Sequence, residues 1–112
     1  MKHHLNIDKK DPHYALLKEI FKIIDSRKSR EIIASKRVTN INMFVLTLKI
    51  IFTSIFYGLD VNFVVNELKD SFELRKFFNI REVPETSQVY EYFNRLNTNQ
   101  CLEIANRILN NK

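Results

Sequence analysis

Acidic residues that could bind divalent metals are the first candidates for chemistry in this sequence. Glu67 and Asp70 are three positions apart, so they would be neighbours on a helix, and paired carboxylates can hold metal ions. The same spacing arises often by chance, however, and most acidic residues here stand beside basic ones, as on solvated helix faces. We therefore predict that the chain has no metal site.

The other reactive residue types also point away from an enzyme. Cys101 is the only cysteine and has no histidine near it, so we interpret it as a small residue near the start of the last helix. His3, His4 and His13 all lie in the first 13 residues, and one glycine cannot build a glycine-rich phosphate loop. We predict no catalysis, no cofactor and no small-molecule substrate.

Positive charge is concentrated in the first third of the chain. Residues 1–40 hold ten Lys and Arg against five Asp and Glu, whereas residues 41–112 hold eight of each. Residues 26–39 carry five bases and one acid, and they form either a loop or a short helix around Glu31–Lys36. This segment is either a solvated connection or a contact for phosphates, and the charge suggests an anionic partner such as nucleic acid.

Hydrophobic periodicity predicts an all-α fold, a compact single domain of five to six helices. A flexible tail over residues 1–11 precedes the helical domain, residues 12–112, and Asp11-Pro12 is typical of a helix start. Asn40, Asp60 and Ser71 are further expected N-caps. The helices are expected at about 12–25, 41–57, 60–69, 72–79, 85–96 and from Thr98 or Asn99 to Asn110.

The most apolar stretch, Ile41 to Tyr57, is nearly long enough to span a membrane. We reject that interpretation because Lys49 lies at its centre, and Asn42, Lys49 and Thr53 fall on one side of the helix. We expect a core helix with this polar edge in water, ending at Gly58 in a left-handed cap.

No apolar signal-peptide core follows Met1, and a lone cysteine is compatible with a reducing cytosol, so we expect a cytoplasmic protein without a membrane partner.

Two short motifs carry a family resemblance. Leu74-Arg75-Lys76-Phe77-Phe78 matches an aromatic-rich helix, and Val83-Pro84-Glu85-Thr86-Ser87 matches a Val-Pro-x-x-Ser helix start. In this order, over residues 42–96, they resemble the N-terminal region of DDE-type insertion-sequence transposases, which join an all-helical domain to an RNase-H-like catalytic domain. The chain ends at Lys112 before any such domain, so we expect a truncated or split transposase, or an expressed fragment of one. The resemblance implies a role in recognising element ends in transposition.

The resemblance also suggests how DNA would be bound. The helices around 72–79 and 85–96 would form a loose helix-turn-helix-like unit whose second helix enters the major groove by its N-terminal end. Many family members have Thr where this chain has Gln88 and Arg where it has Glu91, which removes positive charge from that helix.

The expected contacts to double-stranded DNA divide into two groups. Base edges would be reached by Thr86, Ser87 and Gln88, with Tyr90 as a further candidate, and glutamine suits adenine. Phosphates would be contacted by Arg27, Lys28, Arg30, Lys36, Arg37, Arg75, Lys76, Arg81 and Arg95. The alternative hypothesis is a protein-interaction module, such as a homodimer, because nine Phe and four Tyr are many for a core this small.

Overall fold

The computed structural model describes residues 9–35 and 40–95, together with Asn99, Leu102, Glu103, Asn106, Arg107 and Asn110. This described part is helical apart from caps and connections, which confirms the all-α prediction. Its six helices are α1 (Pro12–Asp25), α2 (Arg27–Ser35), α3 (Ile41–Tyr57), α4 (Val61–Asp70), α5 (Phe72–Phe78) and α6 (Thr86–Arg95). The expected last helix and most of the expected tail, residues 1–8, lie outside the two continuous described ranges.

Short polar side chains begin four of the helices, as the sequence predicts. Each accepts a hydrogen bond from a backbone N–H of the first helical turn, which would otherwise lack a partner. The four N-caps are Asp11, Asn40, Asp60 and Ser71.

The described part of the basic segment, residues 26–35, forms a helix rather than a loop, and α2 begins at Arg27, before the short helix expected around Glu31–Lys36. Ser26 ends α1 and begins α2, because its hydroxyl donates to the Ile23 carbonyl at 2.7 Å and accepts from the Ser29 N–H at 3.2 Å. Only Ser29 and Ile33 of α2 are buried, so most of this helix is at least partly solvated. Lys36 and Arg37 lie outside the described residues.

The core is built around α3, which packs against α1, α2, α4 and α6. Residues 44–50 are all buried, as expected for a helix enclosed by neighbours on several sides. Leu17, Phe21 and Ile24 of α1 cover one side, and Val64 and Leu68 of α4 cover another.

The expectation that the polar side of α3 faces water is wrong for two of its three residues. Asn42 is exposed, but Lys49 is 1% exposed and Thr53 is fully buried. The Thr53 hydroxyl donates to the Lys49 carbonyl at 2.8 Å, so its burial leaves no unpaired group. The polar stripe of α3 therefore starts in solvent and continues into the core.

Phe72 at the start of α5 does not pack in the core. Leu74 and Phe78 are buried and lie four positions apart on one face of α5, whereas Phe72 is 70% exposed. Because successive helical residues turn by about 100°, Phe72 lies roughly opposite Leu74 on the helix.

Within the described residues, no helix alone has the length and apolarity needed to cross a membrane. The pair α3 and α4 reaches that threshold together, but the two helices meet at 110°.

Gly58 ends α3 in the left-handed conformation, with φ +62°, as the sequence predicts. Gly58→Ala is expected to lower the free energy of unfolding by about 1 kcal/mol, because alanine is strained there. An added Cβ meets nothing within 4 Å, so crowding makes no contribution. Urea unfolding measures the loss, and Gly58→Asn should lose less because asparagine tolerates this conformation. Equal losses in both variants would rule out backbone strain as the cause.

Candidate nucleic-acid interface

A polar cleft of about 680 Å³ opens on one side of α3. One wall is formed by Asp25 and Arg30 at the α1–α2 corner, and the base is formed by the first half of α3 from Asn40 to Lys49. The other wall is the connection between α5 and α6, residues 79–84, together with Gln88 of α6. We call this cavity the polar cleft.

Side-chain contacts between distant parts of the chain hold the second wall in place. Lys69 of α4 forms an ion pair with Glu85 at 2.8 Å, just before α6 begins. The Tyr92 hydroxyl donates to the Asn40 carbonyl at 3.1 Å, and the Tyr90 hydroxyl donates to Asp60 at 3.3 Å. These bonds tie α6 to the starts of α3 and α4, consistent with α6 making its main helix contacts with those two helices.

The start of α6 is capped by its own residues. The Gln88 side-chain oxygen accepts from the Glu85 N–H at 2.9 Å, and the Glu85 carbonyl accepts from the Gln88 N–H at 2.9 Å. This reciprocal pair resembles one half of a capping box. Glu85, rather than Thr86 or Ser87, therefore holds the cap position, which leaves Ser87 exposed at the surface.

Lys49 forms the floor of the polar cleft through a buried three-helix contact. Its ammonium group donates to Asp25 Oδ2 of α1 at 2.9 Å and to the Phe78 carbonyl of α5 at 2.7 Å. Asp25 Oδ1 also lies 2.9 Å from Nζ, and the Phe21 ring centroid lies 5.4 Å away. One buried charge thus joins α1, α3 and α5 below the cleft.

Burial lowers the pKa of Lys49 below its ordinary 10.5, and the carboxylate of Asp25 only partly opposes this shift. Between the lowered pKa and about pH 10.5, the unfolded chain holds a proton that the folded chain has released. The Lys49 contribution to the free energy of unfolding should therefore rise with pH in that window. Urea unfolding of wild type and Lys49→Met at several pH values in the window gives the difference between their free energies of unfolding. Other lysines and tyrosines titrate in both proteins, so the pH dependence of this difference reports Lys49. A difference that does not change with pH would contradict the shift.

Arg30 is held at the mouth of the cleft by two neighbours. Its Nη1 donates to Asn42 Oδ1 at 3.2 Å, and its Nη2 lies 3.9 Å from Asp25 Oδ1. The side chain is 40% exposed, so the guanidinium group is oriented but still reaches solvent. Arg81 also lines the cleft and is exposed. Two guanidinium groups that can bind an anion therefore border the cleft.

The structure brings three of the twelve expected DNA contacts together at one cavity. Arg30, Arg81 and Gln88 line the polar cleft, and Ser87 is next to Gln88. Lys28 and Lys76 are exposed, while Thr86 is half-buried. Lys36 and Arg37 lie outside the described residues.

Three of the expected phosphate contacts have partners within the fold. Arg27 pairs with Glu31 at 3.3 Å and Arg95 pairs with Glu91 at 2.6 Å, each on its own helix. Arg75 donates to the Leu68 and Lys69 carbonyls, both at 2.8 Å, and so satisfies the end of α4. None of these three lines the polar cleft, so we rank them below Arg30 and Arg81 as DNA contacts.

Sequence reasoning missed Asp25, the role of Lys49 and the cleft asparagines. A lysine in the middle of the most apolar helix was the available signal, because a buried charge needs a partner. The sequence did not indicate that Asp25, 24 positions earlier, supplies it. Within the described residues, no group of three or more His, Cys, Asp or Glu could hold a metal ion.

Comparison of the chain with protein-family models, with curated proteins and with solved structures finds no match. The resemblance to insertion-sequence transposases therefore depends on the two sequence motifs alone.

Proposed function

We propose that this chain is a DNA-binding domain of the kind that begins DDE-type insertion-sequence transposases. It binds duplex DNA at element ends in the cytoplasm of a prokaryotic cell and catalyses no reaction by itself. One observation carries the proposal: the polar cleft gathers Arg30, Arg81 and Gln88 from separate parts of the chain beside the exposed start of α6.

The distribution of charge around the cleft supports backbone contact. Arg30 and Arg81, which both line the cleft, can each donate to a phosphate oxygen, and Lys28 adds exposed positive charge on α2. The α6 N-terminus, with its favourable dipole, lies beside them. Phosphate contacts of this kind fix the position of a duplex, and Ser87 is then the exposed side chain at the helix start that reaches base edges.

Fluorescence anisotropy of labelled duplexes in a salt series tests the proposal. We expect binding that weakens steeply between about 50 and 200 mM salt, because bound phosphates release counterions. A duplex carrying the terminal repeats of the element that encodes the chain should bind more tightly than a random duplex of equal length. Absence of binding to either duplex at the lowest salt concentration would overturn the proposal.

Exposed apolar side chains favour a second candidate, a dimerisation module. Ile55 at the end of α3 is 69% exposed, and Phe72 at the start of α5 is 70% exposed. Large exposed apolar groups can mark a protein interface when they form one patch. Sedimentation of wild type and Ile55→Ser distinguishes the two candidates: a dimer that the substitution dissociates, with no DNA binding, supports the interaction module.

A further inference from the structure

We infer that the polar cleft binds a single nucleotide whose base presents hydrogen-bond acceptors, such as guanine. The nucleotide comes either from an unpaired position in a DNA strand or from the free pool. If the nucleotide comes from DNA, the inference rests on the proposed function. If it comes from the free pool, the inference is independent of that function.

The size of the cleft selects a ligand of this class. Pockets of about 300–1,000 Å³ hold small organic ligands, and the cleft volume is about 680 Å³. A duplex, with paired bases and two backbones, is too large to enter a cavity of this volume. A duplex can lie across the mouth of the cleft, but only a nucleotide taken out of the base stack can occupy the interior.

The hydrogen-bonding groups of the cleft favour an acceptor-rich anion. Three amide side chains of the cleft have their oxygens engaged within the fold. The Asn40 oxygen accepts from the Met43 N–H, and the Asn42 oxygen accepts from Arg30. The Gln88 oxygen accepts from the Glu85 N–H. With these oxygens engaged in the fold, the amide NH2 groups are what the three side chains offer a ligand.

Arg30 and Arg81 add guanidinium donors, and two carboxylates also line the cleft. Asp25 is paired with Lys49, which leaves Glu82, among the described lining residues, as the one carboxylate acceptor against these donors.

Base preference follows from that donor excess. Guanine presents two acceptors, O6 and N7, on the edge where adenine presents one acceptor and one donor. Arginine is the side chain that most often binds guanine in this way. The adenine preference expected from Gln88 alone is therefore replaced by a preference for guanine, because the Gln88 oxygen is engaged at the start of α6.

The remaining walls can pack against the faces of a base. Met43 and Leu46 of α3 line the base of the cleft, and Ile80, Val83 and Pro84 line the wall formed by the connection between α5 and α6. Apolar side chains that contact the faces of a flat ring help to hold a base removed from its stack. The bond between Tyr92 and the Asn40 carbonyl holds α6 against the start of α3 at this base.

The first test titrates the 15N-labelled protein with dGMP, dAMP and inorganic phosphate and follows the side-chain NH2 signals of Asn42 and Gln88 by NMR. We expect these signals to shift with dGMP at a roughly tenfold lower concentration than with dAMP. Shifts that inorganic phosphate reproduces in full, or equal affinity for dGMP and dAMP, would overturn the inference.

The second test compares a fully paired duplex with the same duplex containing one unpaired guanosine. If the cleft takes an unpaired DNA nucleotide, the second duplex binds roughly tenfold more tightly. Asn42→Asp should abolish this gain and the dGMP shifts, because the new carboxylate pairs with Arg30 and repels the ligand. Asn66→Asp makes the same chemical change on an exposed position of α4, outside the cleft, and should abolish neither.

The outcomes separate this inference from the proposed function. One outcome is a protein that binds duplex and yet shows neither a dGMP shift nor tighter binding to the duplex with an unpaired guanosine. That result overturns the nucleotide site and is consistent with the proposed DNA-binding domain. A second outcome is a protein that binds no duplex but shows dGMP shifts that Asn42→Asp removes. That result supports a site for free nucleotide and overturns the DNA-binding proposal.

Discussion

Replacing Lys49 with alanine is expected to lower the free energy of unfolding by about 3–5 kcal/mol. The substitution removes a 1%-exposed ammonium group from between α1, α3 and α5. It leaves the Asp25 carboxylate, which is 26% exposed, without its nearest cation, and it leaves a cavity where the side chain had been. A domain of this size is stable by only about 5–15 kcal/mol, so the loss is a large part of the total.

Lys49→Met removes the charge of this side chain but keeps most of its volume. Methionine fills most of the space, so this variant should be less destabilised than Lys49→Ala, but the buried Phe78 carbonyl still loses its donor at a cost of about 1–3 kcal/mol. Lys22→Ala removes an exposed lysine from α1 and should stay within about 0.5 kcal/mol of wild type. Urea unfolding at neutral pH measures all three variants.

A double-mutant cycle with Asp25→Asn and Lys49→Met tests the pairing itself. The coupling free energy should fall between about 0.5 and 3 kcal/mol, because the two groups are in contact at 2.9 Å. Additive losses, or a Lys49→Ala variant as stable as Lys22→Ala, would show that the buried contact does not hold the fold together.

The second large effect is expected on DNA affinity. The double variant Arg30→Ala/Arg81→Ala should bind duplex about 100-fold more weakly than wild type, because two charge-assisted contacts to phosphate are lost. The slope of log affinity against log salt should become less steep by about 2, as two fewer counterions are released. Anisotropy titrations at several salt concentrations give both quantities.

Arg27→Ala/Arg95→Ala is the matched control, because it also removes two arginines from exposed positions. Both control side chains are paired with a glutamate on their own helix, and neither lines the polar cleft. We expect less than about a threefold loss of affinity, the effect of a changed overall charge. Equal losses in the two double variants would mean that charge spread over the surface binds DNA and that the cleft does not. Thermal unfolding of both variants checks that the fold is retained.

The starts of α1, α3, α4 and α5 and the end of α3 were predictable from the sequence because the signals that start and stop a helix are local. Asp11, Asn40, Asp60 and Ser71 each bind a backbone N–H within three residues, and Gly58 takes a conformation that other residues avoid. Apolar residues at helical spacing form the buried faces of α1 and α4. The all-α architecture followed from these local choices.

The candidate site was only partly predictable, since its members come from four parts of the chain. The sequence suggested Arg30, Arg81 and Gln88 individually, but their positions around one cavity depend on how α6 packs against α3 and α4. Asn40 and Asn42 were expected as a helix cap and a solvated residue. Their second role, as cleft donors, depends on the wall that packs opposite them.

The sequence by itself determined that this chain is helical, where four of its helices begin and that its central helix is apolar, because those properties depend on residues close together in the chain. Only the tertiary structure decided that Lys49 is buried and not solvated. A polar stripe on a helix is equally compatible with water and with a buried partner, and here the partners are Asp25 and the Phe78 carbonyl, 24 and 29 positions away. The packing of α1 and α5 against α3 brings them together, and the polar cleft lies above that contact.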